Sequence, residues 1–456
     1  MLTYELKKAP GISLYEALYR CIRQDILTGK LQAGEKLPSK RALAAHLEVS
    51  KITVEAAYDQ LLAEGFLRSR EKVGYFVEAV QQQPPRRPLP ETDTAPAPAY
   101  AINLTANGSS GFPFSVWSRL QREVMLELKD KLLQPMSNQG CRELRHAIAC
   151  QLGAFRGMAV SADNILIGAG TDFLYNLLIQ LLGQDKCYAV EEPGYDKIRR
   201  IYAAGGVKCI SAPMDSRGVI PEALAQAQVL HISPSHHFPT GLVTPMDRRS
   251  ALLQWANSAP DRYIIEDDYD SEFRFDALPM PTMQAMDTAG KVIYMNTFSK
   301  SLTPSIRISY MVLPPALMAQ FRQQLGFYSC TVPSFEQYTL ERFLSRGYFE
   351  KHINRTRKAY KNLRNRLVSA LKESRFAHRL TILEQDAGLH FLVKVDTRLT
   401  DQELTDLCAQ HGIGIRTLSS YYHGQAPQSE QRCLVVNYSG LQSRQLPQLL
   451  QILEDM

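Results

Sequence analysis

The sequence predicts a multidomain protein: an N-terminal winged helix-turn-helix unit, a linker, and a large α/β unit that ends in a small α+β part. Three observations carry that prediction. A chain of 456 residues is too long for one ordinary core, so two or three domains are expected. Residues 79–101 (AVQQQPPRRPLPETDTAPAPAYA) break the composition, being rich in Pro and Gln and nearly free of large apolar side chains. After the break, strand and helix signals alternate, which argues for a mostly parallel sheet with helices on both faces. The boundaries read as 1–78, a linker 79–101, and 102–456, the last with a large part to about 327 and a small part from about 328.

In the first unit, SLYEALYRCIRQDILT places Leu14, Ala17, Leu18, Ile22, Ile26 and Leu27 at helical spacing with one buried stripe. Gly29 suits its C-cap. Ser39, after Pro38, suits the N-cap of a short helix with Leu43, Ala44 and Leu47 on one side. LEVS is then a tight turn, and Ser50 caps a second helix through Glu64 with Val54, Ala57, Leu61 and Leu62 inward. Short helix, tight turn and second helix make the helix-turn-helix pattern. FLRSREKVGYFV reads as a hairpin, a wing with charges near its tip.

Such a pattern puts the start of its second helix against base edges in the major groove, here Ser50, Lys51, Thr53 and Val54. Ser39, Lys40 and Arg41 are placed to meet phosphates, and Arg68, Arg70 and Lys72 lie on the wing. The competing reading is a protein-interaction module with a solvated charged face. Net charge does not choose between them: the whole chain carries +6, and its first eighty residues hold twelve basic against ten acidic side chains.

The linker tends towards extended polyproline II and reaches some 60–70 Å at full extension, about 3.1 Å per residue. Eight scattered cysteines form no C-x-x-C pair, which excludes zinc ribbons and redox motifs and suits free thiols in a reducing cytoplasm. MLTYELKKAP has no apolar signal region and no stretch is apolar enough to span a bilayer, so a cytoplasmic protein without a membrane partner is expected.

In the large unit ILIGAG is a strand meeting a glycine turn, and TDFLYNLLIQLLG is the helix after it. KCYAVEEPGY, RYIIEDDYD and KVIYMNTFSKS are strands that end in a turn, in carboxylates and in a polar lysine turn. Strand ends are where this architecture binds ligands. A pyridoxal 5′-phosphate (PLP) site needs a Schiff-base lysine, a carboxylate for the ring nitrogen, an anion cradle and an aromatic plate. Lys300 at a strand end amid hydroxyl residues suits the first, and Asp267 of IIEDDYDSEF the second. Arg307, Ser299, Gly170 and Thr171 suit the cradle, the last two at a helix start. Tyr195 suits the plate, and Tyr269 could donate to the ring hydroxyl. Each has a plainer reading: Lys300 as a surface lysine, Tyr195 as a core tyrosine, the acids as a solvated loop or a metal cluster. No metal is expected, since no histidine accompanies these acids in sequence.

Two resemblances bear on the choice. LPSKRALAAHLEVSKITVEAAYDQLLAEGFLRSREKVGYFV resembles the GntR-type winged helix, with Lys51 where that family usually has Arg. A lysine cannot grip guanine with a two-pronged fork, so a different operator preference is expected. GAGTDFLYNLL, EEPGY, SPSHHFPTG, EDDYDSEF, TFSKSLTPSIRISY and GIRTLSSYY resemble fold-type I aminotransferases, and more closely the MocR/GabR-type regulators, which fuse the two. The resemblance implies a PLP-dependent aminotransferase fold of type I. It gives Lys300 the Schiff base, Asp267 the ring nitrogen, Tyr269 the ring hydroxyl, Tyr195 the stacking and Arg307 the phosphate. It points to Arg416 for an effector carboxylate, with Arg432 second.

The sequence also departs from working aminotransferases. Phe238 stands where they usually carry an asparagine that bonds the ring hydroxyl, and QPMSNQGCRELR lacks a tyrosine that reaches the partner's phosphate. Both departures favour a sensor over a fast catalyst. The implied function is a PLP-dependent transcription regulator of vitamin B6 or amine metabolism genes. It would bind operator DNA as a domain-swapped homodimer and sense PLP or an amino compound, with at most slow transamination. The alternatives are an active aminotransferase and a sensor of PLP alone.

Overall fold

The computed structural model describes all residues except 1, 5, 7–12, 81–99, 106, 107, 109, 110, 276–279, 384–387 and 456. Two compact units emerge, Met1–Ala97 and Pro98–Met456. The expected linker lies outside the described residues but for 79, 80, 100 and 101.

In the first unit α1 (Leu14–Leu27) buries Leu18, Ile22 and Ile26, one stripe at four-residue spacing. The helix α2 (Lys40–His46) starts at Ser39, whose Oγ accepts the Ala42 N–H, and α3 (Lys51–Ala63) starts at Ser50, whose Oγ accepts the Thr53 N–H at 3.1 Å. Each cap satisfies an N–H that the helix itself leaves unpaired. The turn between α2 and α3 holds Glu48 at φ 55°. The hairpin β1 (Leu67–Arg70) and β2 (Gly74–Val77) pairs Leu67 with Val77 and Arg70 with Gly74. Leu18, Ile22, Leu43, Val54, Tyr58, Leu61, Leu67 and Val77 close one core across all five elements.

The second unit is built on β4 (Ile165–Gly168), β5 (Cys187–Glu192), β6 (Lys208–Asp215), β7 (Gly218–Val219), β8 (Val229–Ile232), β9 (Tyr263–Asp267), β10 (Val292–Thr297) and β11 (Ser309–Val312), preceded by β3 (Ile102–Asn103). The sheet order is β4-β11-β10-β9-β8-β5-β6-β7. Strands β6, β5, β8, β9 and β10 run parallel, and β11 is antiparallel to both neighbours. Strands β4, β8 and β10 are buried throughout, as apolar strands covered on both faces must be. The helix Thr171–Leu182 packs into the core on one face and Met246–Asn257 into that on the other.

The small part is a four-stranded antiparallel sheet, β12 (Leu380–Leu383), β13 (His390–Val395), β15 (Arg416–Thr417) and β16 (Cys433–Asn437), in the order β12-β13-β16-β15. The charged run from residue 348 forms one helix, Tyr348–Glu373. The short β14 (Ile413–Gly414) pairs in parallel with β3, so residues 102–103 join the C-terminal part rather than the central sheet. No described helix is long and apolar enough to cross a membrane.

Candidate functional site

The parallel register of β9 and β10 sets Asp267 opposite Met295, and Lys300 follows five residues later on the short helix Phe298–Ser301. Both side chains therefore reach the same end of the sheet. They line a cavity of about 410 Å³ together with Gly170, Thr171, Tyr195, Tyr269, Ser299 and Arg307. All eight residues expected to hold PLP come together here from separate strand ends.

Burial lowers the proton affinity of the Lys300 amine, while Asp270 and Asp267 pull it the other way. Its Nζ lies 5.7 Å from the Tyr269 ring centroid. Of the acids at the end of β9, only Asp267 lines the cavity. Glu266 accepts the Met283 and Gln284 N–H groups, and Asp268 pairs with Arg156 at 2.8 Å. The Tyr175 hydroxyl donates to Asp267 Oδ2 at 2.5 Å, and His231 Nε2 stands 3.6 Å from the same oxygen. Oδ1 of Asp267 is buried without a partner. A second orphan is Ser299 Oγ. A buried polar atom left unpaired costs about 1–3 kcal/mol, so a bound group that met both would recover that loss.

The cradle is shaped by one backbone choice. Gly170 has φ 89° at the start of the helix Thr171–Leu182, and a Cβ there would lie 2.4 Å from Arg307 Nη2. Arg307, itself at φ 51°, bonds Asp172 Oδ2 at 3.3 Å. A guanidinium, a hydroxyl and a helix N-terminus converge, which is the donor set a phosphate requires.

Opposite, Phe238 packs edge-on against Tyr195, His390 and Tyr421 with ring centroids 5.1–5.9 Å apart. The small part contributes to the same wall: Glu192 Oε1 accepts the His423 and Gly424 N–H groups, and Gly194 N–H donates to the Tyr421 carbonyl. Arg416 is exposed on β15 with its charge beside the Tyr421 hydroxyl, whereas Arg432 donates from Nε to the Leu399 carbonyl at 3.1 Å. Neither is among the described residues that line the cavity.

Sequence reading missed several groups. Tyr175 holds Asp267 directly, and Tyr202, 2.7 Å from His231 Nδ1, braces the histidine that stands beside it. The signal available was a histidine inside the apolar strand VLHI, a buried polar side chain needing a partner. Histidines also accompany the acids in space: one ligand atom from each of His236, Asp270 and His390 lies within 4.8 Å of the others, and His236 Nδ1 is 2.9 Å from Asp270 Oδ2. Sequence adjacency concealed this, because the three come from the turn before Phe238, the loop after β9, and β13.

In the first unit Arg41, Ser50, Lys51, Arg68, Arg70 and Lys72 are exposed. Two expected contacts are corrected. Val54 is 0 % exposed in the core, so its side chain cannot face bases. Lys40 is only 16 % exposed and is held by Glu55 at 3.0 Å, Asp59 at 3.2 Å and the Tyr75 ring, so it locks α2 to α3 and the wing instead of reaching for phosphate. Ser39 and Ser50 spend their hydroxyls on caps.

Residues 100–453 match the family model of aminotransferase class I and II, and residues 14–77 that of the gntR family of bacterial regulatory proteins. An HTH-type transcriptional regulator of Bacillus subtilis, YdeL, is 35% identical over 434 residues, with 93% of each chain covered. The chain belongs to the gntR-family transcription regulators that carry an aminotransferase domain. This regulator is also 31% identical to the probable rhizopine catabolism regulatory protein MocR of Rhizobium meliloti, over 96% of this chain and 92% of that one. Among solved structures, a kynurenine aminotransferase of Pyrococcus horikoshii in complex with PMP aligns with a TM-score of 0.67 and 25% identity, covering 78% of this chain and 90% of that chain.

Proposed function

We propose that this regulator binds PLP at Lys300, meets a primary amine or amino acid there, and alters its affinity for operator DNA in response. The observation that carries the reading is the pair of orphaned buried atoms, Asp267 Oδ1 and Ser299 Oγ, on residues that line one cavity with Lys300. The residues fit the cofactor. Gly170, Thr171, Ser299 and Arg307 would take its phosphate, Asp267 its ring nitrogen, Tyr269 its ring hydroxyl and Tyr195 its face. Bound PLP supplies an aldehyde that condenses with primary amines and a ring that draws electrons.

The chain's own groups do the rest. Burial favours the neutral amine of Lys300, the form that acts as a nucleophile. Tyr175 and His231 orient Asp267 so that Oδ1 stays free. Phe238 offers no donor, which leaves Tyr269 alone for the ring hydroxyl and favours sensing over turnover. An effector carboxylate would be met by Arg416, whose charge stands beside Tyr421 of the cavity wall, in preference to Arg432. A homodimer would present two helix-turn-helix units to half-sites separated by whole turns of DNA. The effector can shift that presentation only by its differential affinity for the two states. The controlled genes would serve vitamin B6 or amine metabolism.

Fluorescence anisotropy on the DNA upstream of its own gene, with and without PLP, tests this. PLP should change the affinity of the wild type and leave Lys300→Ala unresponsive. An equal response in both proteins would overturn the assignment of Lys300. Retention of Lys300 and Asp267 favours a second reading, an active aminotransferase; steady turnover of an amino donor with a keto acid would place that reading first.

A further inference from the structure

The first turn of α3 leaves few side chains free. Ser50 Oγ accepts the Thr53 N–H at 3.1 Å and lies 2.8 Å from Thr53 Oγ1, so the two hydroxyls occupy each other. Val54 is in the core. Lys51 and Ile52 remain, both exposed, and Ile52 is 76 % exposed. Neither packing nor helix formation accounts for an isoleucine there. Val54, Ala57, Tyr58 and Leu61 are the inward positions of α3, and a β-branched residue lowers helix propensity at a surface site. Lys51 beside it is exposed, as are Arg41 on α2 and Arg68, Arg70 and Lys72 on the wing of the same unit.

A base-pair edge in the major groove offers donors and acceptors everywhere but at one feature, the 5-methyl group of thymine, which is apolar. We propose that Ile52 reads that methyl group and so sets one thymine in each half-site of the operator, an inference that rests on the DNA-binding reading above. Lys51 supplies the neighbouring polar contact, to a guanine edge or a phosphate, and a single ammonium discriminates less than the guanidinium fork. Selectivity at the Ile52 position then comes from the methyl contact, which cytosine, with only hydrogen at C5, cannot make.

The test uses the full-length protein loaded with PLP. Its preferred duplex is first obtained by selection from a random library. Each thymine of that duplex is then replaced in turn by uracil, which removes the methyl group and keeps every donor and acceptor. One uracil per half-site should weaken wild-type binding about fourfold, the burial of one methyl-sized group, and the others should not. Ile52→Ala, a substitution at an exposed site that favours the helix, should bind thymine and uracil duplexes equally and select a site with that position relaxed. A wild type indifferent to every uracil, or an Ile52→Ala variant with unchanged sensitivity, overturns the role of Ile52 while leaving DNA binding intact. Enrichment of no duplex at all overturns the DNA-binding reading, and this inference falls with it.

Discussion

A Cβ built on Gly170 would lie 2.4 Å from Nη2 and 2.7 Å from Cζ of Arg307. The guanidinium thus occupies space that only glycine leaves open, against the first turn of the helix Thr171–Leu182. Gly170→Ala must displace Arg307 and also strain a backbone at φ 89°. We expect PLP affinity to fall about tenfold or more, equivalent to at least ~1.4 kcal/mol, the scale of a strained backbone position. Titration of the cofactor's absorbance band checks it, and an unchanged far-ultraviolet spectrum would place the loss at the cradle.

The cations at the starts of α2 and α3 are of two kinds. Lys40 is committed to Glu55, Asp59 and the Tyr75 ring, whereas no ion pair engages Lys51 among the described residues. Lys40→Ala should cost the helix-turn-helix unit about 1 kcal/mol in thermal unfolding and leave the salt dependence of DNA binding unchanged. Lys51→Ala should do the reverse if it meets a phosphate, lowering the slope of log affinity on log salt by about 1 with little change in melting.

Glu191 lines the cavity wall, and burial pushes its carboxyl up to about 8, with Asp267 adding to the shift. A carboxyl with a raised folded-state value stabilises fully below the unfolded value near 4.5, and that contribution is lost as pH rises towards 8. The stability of the cofactor-free protein should therefore decline between about pH 5 and 8. Glu191→Gln keeps an acceptor for the Ser233 N–H and cannot ionise, so its decline should be shallower. The difference at pH 8 should be about 1 kcal/mol or more in denaturant unfolding at the two pH values. Parallel pH profiles would show that Glu191 ionises in the fold as freely as in the unfolded chain.

What could be read from the sequence was what travels along the chain. Helix stripes, serine caps, the glycine turn before Thr171 and a lysine at the end of KVIYMN follow from local spacing, and they supplied the cavity's lysine, acid and cradle. Contacts across the fold could not be read that way. Lys40 meets Glu55 and Asp59 only because α2 crosses α3, and His236, Asp270 and His390 meet only after three distant segments converge. Val54 shows a local conflict: counting from the N-cap puts it among the base-facing residues, while the three- and four-residue rhythm of Ala57, Tyr58 and Leu61 puts it inside, and burial prevails.

The acids after β9 show how that hidden layer serves the visible one. Asp268 is next in sequence to Asp267 but turns away from the cavity to Arg156, with side chains 1 % and 8 % exposed. Tyr294 donates to the same carboxylate at 2.7 Å, and Arg156 donates to Ser235 Oγ at 3.0 Å. Burial disfavours the Arg156 charge, and the Asp268 carboxylate more than offsets it, holding the guanidinium protonated. Arg156→Met leaves Asp268 as a buried charge without its cation, which should cost about 3–5 kcal/mol in thermal or denaturant unfolding. The double variant Arg156→Met, Asp268→Asn should recover much of that cost, because the uncompensated charge is gone. If the pair serves only stability, the double variant should bind PLP as the wild type does. If it also fixes the end of β9, PLP affinity should stay low although stability returns, because Asp267 is no longer held with Oδ1 towards the cavity.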